Sequence, residues 1–332
     1  MIELFSQLGE RLATFGRDPA TEPIIERAIA DNEWFTREDI CHAVEAIRCD
    51  MLQSDMLRMW AEQYPTCTTP RRVAVIMAGN IPLVGFFDLM CVVASGNACY
   101  VKPSSKDRVL MRYVIALLRD IKPDVAIYDF TEEESYDMLI ATGGDAAIEY
   151  FDRRYPTTRR LLRGSRHSIA VLDGSESYEE LRNLAHDITA YSGLGCRSVS
   201  LLFVPRGRCP KIDCSTQISS KRQRNLVAER ALRRMQGRAF VDCGGFILER
   251  GRCFPTSLSV VSFMEYDSLA DVEQWIAEHG SELQCVVSHI SALNHSLPFG
   301  RVIDFGKAQH PTLNDYADGI DTMAWLCDDS KV

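Results

Sequence analysis

Several signatures that would assign a class at once are missing from this sequence. No GxGxxG motif follows any predicted strand, so the ordinary dinucleotide-binding fingerprint is absent. The 12 cysteines include no CxxC pair and no His/Cys group at zinc spacing. The first 15 residues contain early acidic residues and no cleavable apolar core, so we expect no secretion signal. The cysteines are therefore expected to be reduced thiols in the cytoplasm.

Basic charge and long apolar runs are also scarce. The formal net charge is -9, which argues against nucleic acid as the main partner because phosphate binding needs a basic surface. The longest apolar run, residues 81–94, is interrupted by Asp88 and is shorter than a membrane span requires. Cys209 and Cys214 form the nearest cysteine pair but lack a second pair of ligands, so we predict no metal site.

The sequence does contain a long alternation of predicted strands and helices. A chain of 332 residues with 46% hydrophobic residues can fill two cores. Residues 71–106 read as a strand, a turn, a buried helix over residues 82–94 and a second strand over residues 98–101. This is a βαβ unit, and the ends of such strands are where an α/β sheet places its ligands. The alternation continues to about residue 150.

A second alternation begins with a predicted strand at residues 168–172. A helix over residues 178–191 follows, and the turn from Gly193 to Cys196 precedes a strand over residues 198–204. A cysteine is most often a small buried hydrophobe. Flanking glycines, however, allow a tight exposed turn in which a thiol meets a carbonyl and backbone amides face the oxyanion. The position alone leaves both interpretations of Cys196 open.

Two arginine-rich stretches, residues 153–166 and 221–234, have two possible interpretations. The first is a solvated helix face, which is the usual fate of a charge run. The second, for the earlier stretch, is a binding site for the phosphates of coenzyme A or NADPH, because guanidinium groups fit phosphate oxygens. For the later stretch we expect a solvated face.

Several motifs in fixed order resemble those of a known family. Asn80 stands just after the first strand, Lys102-Pro103-Ser104 ends the second, and the GLGC turn ends at Cys196, in the order used by the aldehyde dehydrogenase superfamily. The segments MAGNIPLVGF, VKPSSKD, GLGCRSVS, PFG and DYADGIDTM are similar to the acyl-CoA reductase family that includes the fatty-acid reductase of bacterial luminescence. The resemblance extends from about Asn32 to the C-terminus.

The resemblance implies an aldehyde dehydrogenase-like α/β fold, with a Rossmann-type cofactor domain and a second α/β catalytic domain. The boundaries we expect are residues 1–64 for an N-terminal helical segment, 65–167 for the nucleotide-binding domain, 168–300 for the catalytic domain and 301–332 for a closing segment. The superfamily holds its nucleotide without the GxGxxG fingerprint, which agrees with its absence here.

The resemblance also assigns roles to individual residues. Cys196 matches the catalytic nucleophile and Asn80 the side chain that stabilises the oxyanion. Arg163 and Arg166 match an RxxR pair that precedes a SIAVL strand in the family, so these two are the expected contacts to substrate phosphates. Asp315, Asp318 and Asp321 do not have the spacing of a calcium loop, and no metal is expected.

Further matches concern the cofactor. Lys102 matches a lysine that contacts the adenine ribose, and Ser104, Gly143 and Gly144 belong to the same expected nucleotide site. Where NAD-preferring members commonly have a glutamate, this chain has Ser105, followed by Lys106. A neutral residue beside an ammonium accepts a 2′-phosphate better than a carboxylate does, so we expect NADPH rather than NADH.

One departure from the superfamily indicates the direction of the reaction. Aldehyde-oxidising members use a glutamate on the strand upstream of the cysteine to activate water, whereas residues 167–172 here contain no carboxylate. Reduction of an acyl thioester is therefore expected, with aldehyde oxidation and a non-catalytic binding role as alternatives. The expected partners are acyl-CoA or another acyl carrier, an acyl-transferring protein, and a second copy of this chain in a homo-oligomer.

Overall fold

The computed structural model describes residues 1–65, 67, 69–208, 210–214, 218–297 and 302–328. The PFG motif at residues 298–300 and Cys209 lie outside the described residues. The chain forms two compact units, of which the first contains residues 1–165 and 311–332 and the second contains residues 166–310. Among the described residues, none of the helices has the length and apolar character that crossing a membrane would require.

Helices form the N-terminal part of the first unit. Each presents an apolar face, with Phe5, Leu8, Ile40 and Trp60 among its buried residues. A capping box begins the third helix: the Thr36 hydroxyl accepts from the backbone N–H of Asp39 at 3.0 Å, and the Asp39 side chain accepts from the backbone N–H of Thr36. The helices are α1 (Ile2–Leu12), α2 (Glu22–Asp31), α3 (Arg37–Asp50) and α4 (Ser54–Ala61).

A five-stranded parallel sheet forms the rest of the first unit. Its elements are β1 (Arg72–Ile76), α5 (Phe86–Ala94), β2 (Ala98–Lys102), α6 (Arg108–Ile121), β3 (Ile127–Asp129), β4 (Met138–Thr142), α7 (Asp145–Arg154) and β5 (Arg159–Arg163). The strand order is β3-β2-β1-β4-β5. The chain leaves β1 on one side through β2 and β3 and returns on the other through β4, so the topological switch point lies between β1 and β4.

The second unit contains a six-stranded sheet in the order β11-β6-β7-β10-β9-β8. All neighbouring strands are parallel except β8 and β9, which are antiparallel. The elements are β6 (His167–Val171), α8 (Tyr178–Thr189), β7 (Val199–Pro205), α9 (Ser220–Met235), β8 (Val241–Asp242), β9 (Ile247–Arg250), β10 (Val260–Tyr266), α10 (Leu269–His279) and β11 (Leu283–Val287). The near-continuous burial of the central strands is typical of a parallel sheet covered on both faces.

The end of the chain differs from the sequence expectation, which assigned residues 301–332 to the closing of the catalytic domain. Residues from 311 onward belong to the first unit, where α11 (Thr322–Cys327) lies. Aromatic and polar contacts hold this segment: the indole N–H of Trp60 donates to the Tyr316 hydroxyl at 2.8 Å, and the Tyr64 hydroxyl donates to Asp321 at 2.8 Å. These contacts join residues more than 250 positions apart, which local sequence patterns do not report.

Both arginine-rich stretches differ in part from solvated helix faces, although Arg153, Arg154, Arg224 and Arg234 are exposed. Residues 159–163 form the edge strand β5, and Arg163 is 3% exposed. On α9, Arg222 is 0% and Arg233 is 7% exposed, so the expected solvated face was wrong for these two. Arg233 can be buried because the carboxylates of Glu229 and Glu249 pair with its charge. The Nε of Arg222 donates to the carbonyl of Gly245 at 3.3 Å.

Candidate active site

The turn before Cys196 has an unusual backbone. Tyr191, Ser192 and Gly193 have φ values of 52°, 58° and 73°, so three successive residues are left-handed. For residues other than glycine this conformation costs about 1–2 kcal/mol each. Tyr191 and Ser192 are nevertheless buried, at 5% and 3% exposure. The surrounding structure therefore imposes this turn, and such imposed strain is concentrated at functional sites in proteins.

Backbone contacts fix the cysteine after that turn. The Ser168 hydroxyl, at the amino end of β6, donates to the carbonyl of Cys196 at 2.8 Å. The N–H of Ser198 donates to the carbonyl of Gly195 at 3.0 Å and leads the chain into β7. Cys196 is half-buried. A half-buried thiol on a fixed turn is accessible to a substrate carbonyl while its position is determined.

Other cysteines of the chain occupy different environments. Cys91, Cys99 and Cys285 are completely buried, and burial raises the pKa of each thiol, to about 11 for Cys285. Burial in apolar surroundings makes a thiol inert, so these three are core residues. The eleven cysteines that the structure describes are all thiols rather than disulfides.

Carboxylates lie at the far end of β6 from Cys196. The buried stretch Ile169–Val171 contains none, and the first acidic residue, Asp173, follows the carboxyl end of the strand. There Glu180 and Asp173 bind the two ring nitrogens of His289, at 2.7 Å and 3.2 Å. The cysteine turn meets β6 at the opposite, amino end of the strand. The His289 cluster therefore does not supply a base next to the thiol.

This histidine cluster is an ion-paired group. Hydrogen bonds that the His289 ring donates to Glu180 and Asp173 raise the pKa of His289. The His289 ring and the capping contacts of Ser177 in turn lower the pKa of Glu180 to about 2. Among the described residues, the oxygens and nitrogen of Asp173, Glu176 and His289 are the one group within metal-binding reach of one another.

Asn80 lies in a tight loop after β1, in the first unit. The loop rests directly on the chain after β2: a Cβ on Gly79 would lie 2.5 Å from the Cβ and Oγ of Ser104. Leu83 has a φ of 58°, a strained value for a branched side chain, and this ends any helix there. The helix that the sequence predicted from residue 82 therefore begins at Phe86. Asn80 itself is half-buried.

The buried side chain of Asp107 anchors this loop through a hydrogen bond to its backbone. The sequence patterns did not indicate this residue. Its Oδ2 accepts the N–H of Leu83 at 2.8 Å, and the residue is 2% exposed. Burial raises the pKa of its carboxyl well above the ordinary range, although the Leu83 N–H opposes this shift. A buried Asp at the first position before α6 could have been suspected from its place between the KPSS segment and an apolar helix.

The predicted nucleotide residues lie at one edge of the first sheet. Register pairs Ile76 of β1 with Lys102 of β2 and with Ala141 of β4, so the residues that follow these strands share the carboxyl edge at the switch point. Gly144 caps α7, and a Cβ there would meet nothing within 4 Å, which leaves room for a ligand. The structure thus brings together Asn80, Lys102, Ser104, Ser105, Lys106, Gly143 and Gly144 at this edge.

Lys102 has a carboxylate neighbour that the sequence pattern did not indicate. Its ammonium lies 3.2 Å from Glu132 and 5.4 Å from the ring centres of Phe130 and Phe151. The Tyr150 hydroxyl donates to the other oxygen of Glu132 at 3.0 Å. Hydrogen bonds from Tyr150 and Lys102 lower the pKa of Glu132. An ionised carboxylate therefore stands beside the lysine expected to contact the ribose.

The two arginines of the RxxR pair have separate environments. Arg163 is buried and binds Asp88 at 2.6 Å and the Thr322 hydroxyl at 2.7 Å. Its guanidinium thus ties β5 to α5 and α11, and its predicted role as a phosphate contact gains no support from this position. Arg166 is half-buried in the second unit, where it donates to the carbonyl of Ser281. Its role as a phosphate contact stays a prediction.

Comparison with known proteins identifies the relatives of this chain. Residues 18–224 match the profile of the family described as acyl-CoA reductase, LuxC. The long-chain acyl-protein thioester reductase of Aliivibrio fischeri is 26% identical over 153 residues, which are 40% of this chain and 32% of that protein. The enzyme of the same name from Vibrio harveyi is 24% identical over 237 residues, 66% of this chain and 48% of that protein. The matches thus span a third to a half of these relatives.

Solved structures with the same fold are aldehyde dehydrogenases. Aldehyde dehydrogenase 21 from Physcomitrella patens superposes with a TM-score of 0.66 at 13% identity, over 99% of this chain and 83% of that one. The aldehyde dehydrogenase of Bacillus cereus in its NAD+ complex gives a TM-score of 0.60 at 15% identity, over 91% of this chain and 75% of that one. The predicted aldehyde dehydrogenase-like fold is confirmed. Because the family profile matches more than half of the sequence, the chain belongs to the LuxC family of acyl-CoA reductases.

Proposed function

We propose that this protein reduces an acyl thioester to an aldehyde, with NADPH as the reductant and Cys196 as the nucleophile. The observation that carries the proposal is the turn at Cys196: a half-buried thiol follows three left-handed residues and is fixed by Ser168. Membership of the acyl-CoA reductase family supports the reaction class. The relatives named as long-chain acyl-protein thioester reductases support a fatty acyl group.

The protein's own groups would carry out the first half of the proposed reaction. The Cys196 thiolate attacks the carbonyl carbon of the thioester, and the backbone N–H of Cys196 donates to the oxyanion. The side-chain amide of Asn80 is the second oxyanion donor that the family resemblance implies. The thiol of the carrier leaves, and an acyl-cysteine thioester remains. NADPH, when bound, supplies the hydride that reduces this thioester. Collapse of the resulting thiohemiacetal releases the aldehyde and restores the thiol of Cys196.

The carboxyl edge of the first sheet suits a nucleotide. The space over Gly144 at the start of α7, next to Gly143, would hold phosphate oxygens, and Ser104, Ser105 and Lys106 follow β2 at the same edge. Lys102 would contact the adenine ribose, and Lys106, which is exposed, would neutralise a 2′-phosphate. The Glu132 carboxylate repels a 2′-phosphate and also pairs with the Lys102 ammonium. The preference for NADPH therefore depends on how strongly Lys102 interacts with each of these two anions.

The position of the acidic groups disfavours hydrolysis of the acyl-cysteine by water. Exchange of the acyl group with a carrier thiol is favoured instead. Without a carboxylate on β6, the acyl-cysteine has no base to activate water from this strand, and hydrolysis is expected to be slow. Aldehyde oxidation to a free acid is the competing function, and it would require such a base from elsewhere. The donor we propose is acyl-CoA or an acyl group on a carrier or partner protein. We propose that the protein itself acts as a homo-oligomer in the cytoplasm.

The test is NADPH oxidation by the purified protein with acyl-CoA thioesters of increasing chain length. Cys196→Ala is expected to abolish turnover, whereas Cys253→Ala, which removes an exposed thiol of the same unit, should leave it unchanged. The aldehyde product is identified by mass spectrometry. Oxidation of the matching aldehydes to free acids, without thioester reduction, would contradict the proposal and establish the competing function.

A further inference from the structure

A fully buried arginine lies beside the nucleophile turn. Arg222 is in the first turn of α9 and is 0% exposed. Its Nε donates to the carbonyl of Gly245 at 3.3 Å, and its backbone N–H donates to the Ser219 hydroxyl at 3.2 Å. Burial of a guanidinium is costly and is retained where its fixed, planar set of donors is used. The reaction proposed for Cys196 assigns no role to Arg222.

The guanidinium also borders the left-handed turn. A Cβ on Gly193 would lie 2.6 Å from Nη1 of Arg222, so only the bare Cα of glycine leaves space for this group. The carbonyl oxygens of Ile188 and Leu258 lie 3.2 Å and 3.5 Å from the same point. Gly193 is thus enclosed on several sides, and its φ of 73° adds a second reason for glycine.

A second contact joins the same helix start to the same turn. The hydroxyls of Ser192 and Ser219 are 2.9 Å apart, and both residues are buried. Ser219 is also the N-cap of α9. The first turn of the helix therefore lies against two successive left-handed residues: Ser192, four positions before Cys196, through Ser219, and Gly193, three positions before it, through Arg222.

We propose that the start of α9 positions Cys196, with Arg222 and Ser219 as the positioning residues. Arg222 fills the space beside Gly193, and Ser219 bonds the Ser192 hydroxyl. Such packing matters here because two left-handed residues other than glycine persist only where neighbours leave no alternative. Released from these contacts, the turn relaxes and the thiol moves from its attacking position. Misplacement by about 1 Å can cost on the order of a hundredfold in rate. This inference rests on the proposed role of Cys196 as the nucleophile.

The experiment measures the alkylation rate of Cys196 by iodoacetamide in the full chain, with peptide mapping to separate it from the other cysteines. Arg222→Lys keeps the charge but loses the planar head group that fills the space beside Gly193, and we expect its alkylation rate to fall by about tenfold. Ser192→Ala removes a single hydrogen bond and should slow alkylation by about threefold. In turnover, kcat should fall by similar factors while KM for the thioester stays within about twofold.

Arg233→Lys is the matched control, since Arg233 is the other buried arginine of α9 and pairs with Glu229 and Glu249 instead. It should leave the alkylation rate of Cys196 unchanged, whatever it does to stability. An alkylation rate within about twofold of wild type in both Arg222→Lys and Ser192→Ala would overturn the proposal. Equal slowing in Arg233→Lys would overturn it too, since that indicates general loosening of α9.

A variant that does not fold can be distinguished from a failure of the proposed nucleophile. If Arg222→Lys does not fold, Ser192→Ala decides the question, because loss of one neutral hydrogen bond leaves the chain folded. If wild-type Cys196 is alkylated no faster than the exposed Cys49 and Cys253, the proposed nucleophile fails, independently of any effect of α9. Slower alkylation of Cys196 in both variants, with no thioester turnover in wild type, would support the positioning role while rejecting the reductase.

Discussion

The hydroxyl of Ser168 and the carbonyl of Cys196 form a 2.8 Å hydrogen bond that ties the turn at Cys196 to the amino end of β6. Ser168 also lies 3.1 Å from the buried thiol of Cys285. A neutral hydrogen bond contributes about 1 kcal/mol, so Ser168→Ala is expected to lower kcat for the thioester about fivefold. Steady-state kinetics measures this. Ser200→Ala in β7 is the control, because its Oγ is buried without a partner among the described residues; equal effects would contradict the assignment.

Gly79 is expected to be irreplaceable as long as Ser104 keeps its side chain. In Gly79→Ala the new Cβ would lie 2.5 Å from the Cβ and Oγ of Ser104, an overpacking that costs about 1–3 kcal/mol. Ser104→Gly in the same chain should recover most of that loss. Gly144→Ala, with nothing within 4 Å of its Cβ, should leave stability unchanged. Urea unfolding of the four proteins tests this, and a double variant no more stable than Gly79→Ala would refute the clash.

Lys102 and Glu132 should act in opposite directions on nucleotide affinity. Removal of the ammonium in Lys102→Met is expected to raise KM for NADPH about tenfold, with KM for the thioester unchanged. Glu132→Gln frees Lys102 and removes a charge that repels the 2′-phosphate, so KM for NADPH should fall relative to KM for NADH. Glu133→Gln makes the same charge change at an exposed neighbour and serves as the control. An unchanged NADPH/NADH ratio in Glu132→Gln would place the adenine ribose elsewhere.

The buried pair of Asp88 and Arg163 is predicted to stabilise the first unit rather than to bind phosphate. Their side chains are 10% and 4% exposed, and loss of one partner leaves a buried charge, so Arg163→Met should cost about 3–5 kcal/mol. The double variant with Asp88→Leu should recover most of this. Unfolding in urea measures both. A normal stability in Arg163→Met, combined with a raised KM for acyl-CoA, would instead favour the role of phosphate contact.

The His289 cluster predicts a pH dependence of stability. Because Glu180 and Asp173 raise the pKa of His289, its contribution is complete below the unfolded value of 6.5 and is lost as pH rises through the raised folded value. The carboxyl of Glu180 works in the other direction, and its contribution disappears only as pH falls through about 2. We therefore expect the urea midpoint of wild type to fall between about pH 6 and 8.5 more than that of His289→Gln. Parallel curves would exclude the ion pair.

The local pattern of the sequence was sufficient for most elements and for the presence of a turn at Cys196. Apolar runs such as Arg72–Ile76 and Ile169–Val171 appear as strands because a parallel strand is buried on both faces. Cys196 stood out because glycines flank it in a turn between a helix and a strand. Element types depend on periodicities of a few residues, and these are fully contained in the sequence of each segment.

Tertiary structure decided what those patterns do not contain. Residues 159–163 form a strand although three of them are arginines, because β4 offers a pairing edge and Asp88 and Asp328 neutralise the charges. Phe86 begins α5 because Asp107, far along the chain, holds Leu83 in a left-handed conformation. Arg222 is buried because Gly193 leaves space for it. In each case the free energy comes from partners distant in sequence, so only the folded chain determines the outcome.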